Sequence, residues 1–273
     1  MDKNNHTTDY EVDITIEQYD HGLIDSASEK KQLICFIGNI QGARVLDLGC
    51  GNGQFTEHLA LLGAESIGVD RSEHFIQIAK SRYDHARFFR KDGSRLHGFP
   101  DNWFDIIILA NVLPNIPSSK KIEKILKECV RVLKESGRLI LSVVNPDSVR
   151  NYSDLIRKIT VSGSQSTEEL KPGTIYQSSY RLSDGTWISF SDSHWPRWFI
   201  RDALLKCGLT IVDVKPHIPK EGEVPSKYLS CYQSLPIRLF YKGVKYSPSP
   251  LDYSVNLDRS AEDMRGKTSK VKS

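Results

Sequence analysis

The chain has 273 residues, enough for one domain with additions and for an apolar core that needs no staples. Hydrophobic residues make up 39% and charged residues 26%, and the net charge of +3 comes from 37 basic against 34 acidic side chains. That balance speaks against a dedicated nucleic-acid binder, and five scattered cysteines with no CxxC pair and no Cys/His cluster speak against structural zinc and for a reducing, cytoplasmic setting.

The start, "MDKNNHTTDYEVD", is polar, so no signal peptide is expected, and no run of about 18 apolar residues could span a membrane. Residues 1–15 read as disordered and the stretch to about Gly42 as a helical lead-in. "ARVLDL" (43–48) then reads as a buried strand ended by glycines, and Phe55 to Leu62 as a helix. "SIGVD" is a second strand, ending on Asp70. Ser72 can cap a helix that runs to about Arg82. "ARFFRKD" and "FDIIILAN" are the third and fourth strands, the fourth apolar enough to be covered on both faces. Ser118 or Ser119 caps the next helix, whose stripe is Ile122, Ile125, Leu126, Cys129, Val130 and Leu133, with Gly137 as its stop. "RLILSVV" is a fifth strand. After it the period changes. "TIYQSSYRLSDGTWISF" alternates around "SDG" as a β-hairpin, Pro196 opens a helix that ends at Gly208, and "LTIVDVKP" and "PIRLFYKGVKY" are two more strands. The tail from 247 to 273 is polar and reads as disordered. The alternation predicts an α/β fold. Its parallel sheet carries helices on both faces, and the change of period marks a lid insertion at about 150–193. One domain from 16 to 246 holds all of it.

In such a sheet a ligand binds at the carboxyl ends of the strands, where Gly49, Gly51, Gly53, Asp70, Asp92 and Asn111 all fall. The loop "GCGNG" is neither G-x-G-x-x-G, because the third position is Gln54, nor a P-loop, because G-K-[ST] is absent. A bare backbone still allows close approach. Asp70 is placed to accept from two ribose hydroxyls and Asp92 to sit beside a base. Nothing handles a pyrophosphate, so the ligand reads as a nucleoside without one.

"VLDLGCGNG", "GVDRS", "KDGSRLHGFPDNWFDIIILANVL" and "LKESGRLILSVVNP", in this order, resemble the motifs of class I S-adenosylmethionine-dependent methyltransferases. "HWPRWFIRDALLKCGLTIVDVKP" is similar to the segment that closes the active site in their small-molecule branch. The resemblance covers roughly Tyr19 to Tyr246 and implies a Rossmann-like, seven-stranded, mostly parallel sheet with its last strand antiparallel, and S-adenosyl-L-methionine as cofactor. It implies that Gly49, Gly51 and Gly53 pass under the methionine and ribose, that Asp47 reaches the amino group, and that Asp70, followed by Arg71, takes the ribose. Asp92, with Gly93 beside it, would accept from the adenine amino group, Leu109 to Asn111 would line the wall near the methyl, and Tyr19 would belong to an N-terminal lid. Pro114 and Asn115 stand where many relatives carry histidine, and "NVLP" does not match the Asn-Pro-Pro-Tyr type motif of amino-nitrogen methylases.

These expectations define a methyltransferase for a small-molecule acceptor, oxygen ahead of nitrogen, acting as a monomer or homodimer without metal. His194 is the candidate general base, since an imidazole titrates near neutral pH. Two rivals stay open, an RNA methyltransferase working with a partner and a non-catalytic or repurposed cofactor-binding protein.

Overall fold

A computed structural model describes residues 26–149, 157–160, 170–182 and 185–245. The two terminal segments, Tyr19 and much of the lid insertion lie outside the described residues. The elements in chain order are α1 (Ser26–Ile37), β1 (Arg44–Leu48), α2 (Gln54–Leu61), β2 (Glu65–Asp70), α3 (Glu73–Arg82), β3 (Arg87–Arg90) and β4 (Phe104–Ala110). Then come α4 (Ser119–Val132), β5 (Leu133–Val144), β6 (Arg157–Thr160), β7 (Ile175–Arg181), β8 (Trp187–Ser193), α5 (Arg197–Lys206), β9 (Leu209–Pro216), α6 (Ser226–Ser234) and β10 (Arg238–Lys245).

The main sheet has seven strands in the order β3-β2-β1-β4-β5-β10-β9. β1 pairs in parallel with β2 and β4, β2 with β3, and β4 with β5, while β10 runs antiparallel between β5 and β9. The central strands are apolar throughout because helices cover both faces. Along β4, Ile107 and Leu109 face a core shared with α4 and α5, while Ile106 and Ile108 face one shared with α1. The helix starts follow from local chemistry. Ser72 accepts from the Phe75 N–H at the head of α3, and Ser118 accepts from the Lys121 N–H at the head of α4. α4 buries Ile122, Ile125, Leu126 and Cys129 as its stripe predicts.

Three features depart from the sequence-based reading. Gly137 does not stop α4. The helix ends at Val132 because Leu133 already pairs with Phe104, and Ser136, not Gly137, takes the left-handed turn, with φ 61°. The hairpin around "SDG" forms as β7 and β8, in register from Ile175↔Ser193 to Arg181↔Trp187, but β6 joins it as a third strand. A further helix, α6, stands between β9 and β10. Among the described residues, no helix is long and apolar enough to cross a membrane.

Candidate active site

The parallel strands deliver their carboxyl ends to one edge of the sheet, and the loop after β1 shows why that edge is bare. Gly49, Gly51 and Gly53 all have positive φ, at 79°, 54° and 85°. Gly49 and Gly53 are also held by packing. A Cβ on Gly49 would lie 2.6 Å from Val112 Cγ2, and one on Gly53 would lie 2.6 Å from the Phe88 ring and 2.7 Å from Ala79. Gly51 differs, since a Cβ there would meet nothing within 4 Å. Two of the three glycines therefore fit the protein to itself, and Gly51 alone opens a cradle. The loop is anchored to β2 through hydrogen bonds from the Gly49 and Cys50 N–H groups to the Val69 carbonyl, at 2.7 and 3.1 Å.

The half-buried Asp70 closes this loop from below. Its Oδ2 accepts from the Gly51 N–H at 3.0 Å and its Oδ1 from the Ser72 N–H at 2.9 Å. Each carboxylate oxygen has a further lone pair, so a vicinal diol could still be accepted by both. Gly51 and Asp70 thus fit a ribose, and the site is compatible with the nucleoside that the sequence suggests. Arg71 is exposed, and its carbonyl accepts from Arg90 Nε at 3.2 Å.

Asp47 is only 2% exposed and accepts from Thr56 Oγ1 of α2 at 2.7 Å. Burial pushes its carboxyl up to about 6, against the Thr56 hydrogen bond that lowers it, and the Asp70 charge adds to the rise. A buried carboxyl held this high gains from a nearby cation, which suits a partner for an ammonium group. Asp92 is tied differently. Its Oδ1 accepts from the Ser94 N–H and hydroxyl at 2.9 and 2.8 Å, and its Oδ2 from Lys121 Nζ at 3.1 Å. Partial burial alone would raise its pKa, but Ser94 and Lys121 outweigh that and hold it below the ordinary carboxylate value. Gly93 is small because Leu48 lies 3.1 Å from its Cβ position.

Asn111 is the first residue after β4 and takes a left-handed φ of 59°. His194 follows β8 directly, is 7% exposed, and continues the ladder. Its N–H donates to the Thr174 carbonyl and its carbonyl accepts from the Gly173 N–H, both at 2.8 Å. Trp195 beside it donates from Nε1 to the Leu113 carbonyl at 3.0 Å, so the exit of β8 is tied to the loop after β4. Between them lies a narrow recess, lined by Leu113, Val144, Tyr176, Ser193, His194 and Trp195 among others. It opens at the ends of β4 and β5, the same edge as the glycine loop. Lys121 beside Asp92, and the Glu29–Arg238 pair behind Asn111, were invisible in the sequence, because their partners stand 29 and 209 residues away.

The fold is that of class I S-adenosylmethionine-dependent methyltransferases, and residues 46–141 match the family model described as a methyltransferase domain. A solved S-adenosylmethionine-dependent methyltransferase from Mesorhizobium loti superposes with a TM-score of 0.60 at 18% identity, over 81% of this chain and 99% of its own. Among curated proteins, the chain is 30% identical over 144 residues to a ubiquinone biosynthesis O-methyltransferase of Coxiella burnetii, covering 49% of this chain and 54% of that one. It is 36% identical over 123 residues to a demethylmenaquinone methyltransferase of Tropheryma whipplei, covering 44% and 49% respectively. The chain spans about half the length of the curated relatives it matches.

Proposed function

We propose that this protein transfers a methyl group from S-adenosylmethionine to an oxygen of a small, largely apolar molecule seated in the recess beneath the lid sheet. The observation that carries the reading is the recess itself. It sits on the cofactor edge, its walls are mostly apolar, and His194 is the lining group whose ordinary titration lies near neutral pH. The bound cofactor supplies an activated methyl on a sulfonium leaving group. The chain's work is the rest. Gly51 and Asp70 hold the nucleoside, Asp47 offers a carboxylate to the amino group, and Asp92 offers one to the adenine amino group. Leu113, Tyr176 and Trp195 orient the acceptor and exclude water. His194 takes the acceptor's proton. One curated relative is named an O-methyltransferase of ubiquinone biosynthesis, which supports an oxygen acceptor. Five free cysteines support a reducing, cytoplasmic setting, and we read the protein as a monomer or homodimer.

The test is turnover of a panel of phenolic acceptors with methyl-labelled cofactor. His194→Ala should lower turnover about a hundred- to ten-thousand-fold, the range for a lost general base, with cofactor affinity within a few-fold of the parent. The parent rate should rise with pH through the imidazole range. Near-normal turnover with a flat profile would make His194 structural and point to an acceptor already ionised at neutral pH.

A further inference from the structure

We propose that Arg238 and Glu29 are positioning residues that turn the side-chain amide of Asn111 into a fixed donor for the carboxylate at the cofactor's amino-acid end; this rests on the methyltransferase reading above. Asn111 is tied by its backbone on both sides. Its N–H donates to the Ser142 carbonyl at 2.9 Å, and its own carbonyl accepts from Asn115 Nδ2 at 2.8 Å. Its side chain is fixed as well, because Arg238 Nη1 donates to Oδ1 at 2.6 Å. A guanidinium carries donors only, so the amide has one allowed orientation, with its oxygen toward Arg238 and its NH2 turned away. Among the described residues that NH2 meets no protein acceptor.

Arg238 cannot drift from this post. It is 4% exposed, and its Nε donates to Glu29 Oε2 at 3.0 Å. Glu29, 8% exposed, accepts from Ser142 Oγ on its other oxygen at 2.9 Å. The links form a closed ring that joins α1, β10, β5 and the end of β4. An ion pair this deeply buried is a weak source of stability, since well-packed apolar side chains often serve as well; its attested use is to specify one arrangement. The arrangement here lies at the cradle. Val112, the next residue after Asn111, is packed onto the glycine loop at the Gly49 Cβ position. A two-proton amide donor one residue from the side chain packed on Gly49, its oxygen fixed by Arg238 and its backbone by Ser142 and Asn115, suits a carboxylate.

A thermodynamic cycle tests this, read by calorimetric titration of S-adenosylhomocysteine into the full chain. Asn111→Gly keeps the positive φ and deletes the amide. Glu29→Met combined with Arg238→Met removes both charges together, so neither is left buried without its partner. Each variant should bind about ten-fold or more weakly, as for a lost hydrogen bond to a charged group, and all three substitutions together should bind no more weakly than either variant. Should the methionine pair fail to fold, Arg238→Lys, which keeps a charge beside Glu29 but not the forked donors, carries the same expectation. Losses that add, or a methionine pair or lysine variant that binds as the parent does, overturn the positioning role and leave the cofactor reading standing. A parent protein that takes up no S-adenosylhomocysteine overturns the cofactor reading, and the inference with it.

Discussion

Asp47, the penultimate residue of β1, and Asp70, the last of β2, lie on neighbouring strands, yet their surroundings give them different work. Asp70 is half-buried and bound by two backbone N–H groups. Asp47 is sealed under α2, and its carboxyl is pushed up to about 6 from an ordinary 3.8. The folded protein therefore holds this proton to higher pH than the unfolded chain does. The associated stability is complete below about pH 4 and is lost as pH climbs through about 6, a change of about 3 kcal/mol for a shift of this size. Asp47→Asn cannot ionise and keeps an acceptor for Thr56. In thermal denaturation without ligand it should unfold at a higher temperature than the parent at pH 8, and at nearly the same temperature at pH 4. A gain that does not vary with pH would show that burial is not what governs this carboxyl. The same substitution should weaken cofactor binding, because it removes the anion offered to the amino group. The glycines, Asp70 and Asp92 stand out in the sequence because each falls at a strand end, and Asp47, inside β1, through the resemblance alone. Their division of labour does not. That Gly49 and Gly53 answer to Val112, Phe88 and Ala79, leaving Gly51 as the open position, depends on side chains far along the chain.

At the scale of elements, local signals predicted what local chemistry controls. Ser72 and Ser118 cap the helices they were expected to cap, and the alternation on either side of "SDG" pairs as a hairpin. The end of α4 was misread, because Phe104 on another strand, and not Gly137, draws Leu133 out of the helix. β6 and α6 escape a sequence reading because both are short, four and nine residues. The small sheet β6-β7-β8 reaches the recess through Tyr176 and Ser193, and Trp195 fastens its exit to the loop after β4. If this sheet is the lid, amide exchange across 175–193 should slow when S-adenosylhomocysteine and a phenolic acceptor are bound together, and much less with either alone. Protection confined to the glycine loop would remove the lid role.

Taken whole, the molecule is a parallel sheet clad on both faces, with its chemistry confined to one edge. β4 illustrates why that could be read in advance. Four successive apolar residues, Ile106 to Leu109, divide between the two cores, and only a strand covered on both sides needs that composition. The antiparallel insertion of β10 between β5 and β9 also brings Arg238 behind Asn111, a placement that only the completed fold produces. The central claim, that this edge cradles S-adenosylmethionine through Gly51 and Asp70, is met most directly by calorimetric titration of S-adenosylhomocysteine against NAD, with Asp70→Ala alongside the parent. The account predicts one-to-one binding of S-adenosylhomocysteine with a micromolar dissociation constant, about 8 kcal/mol, no comparable heat from NAD, and about ten- to a hundred-fold weaker binding by a folded Asp70→Ala. Tight NAD binding without S-adenosylhomocysteine binding, or unchanged affinity in the folded Asp70→Ala variant, would contradict it.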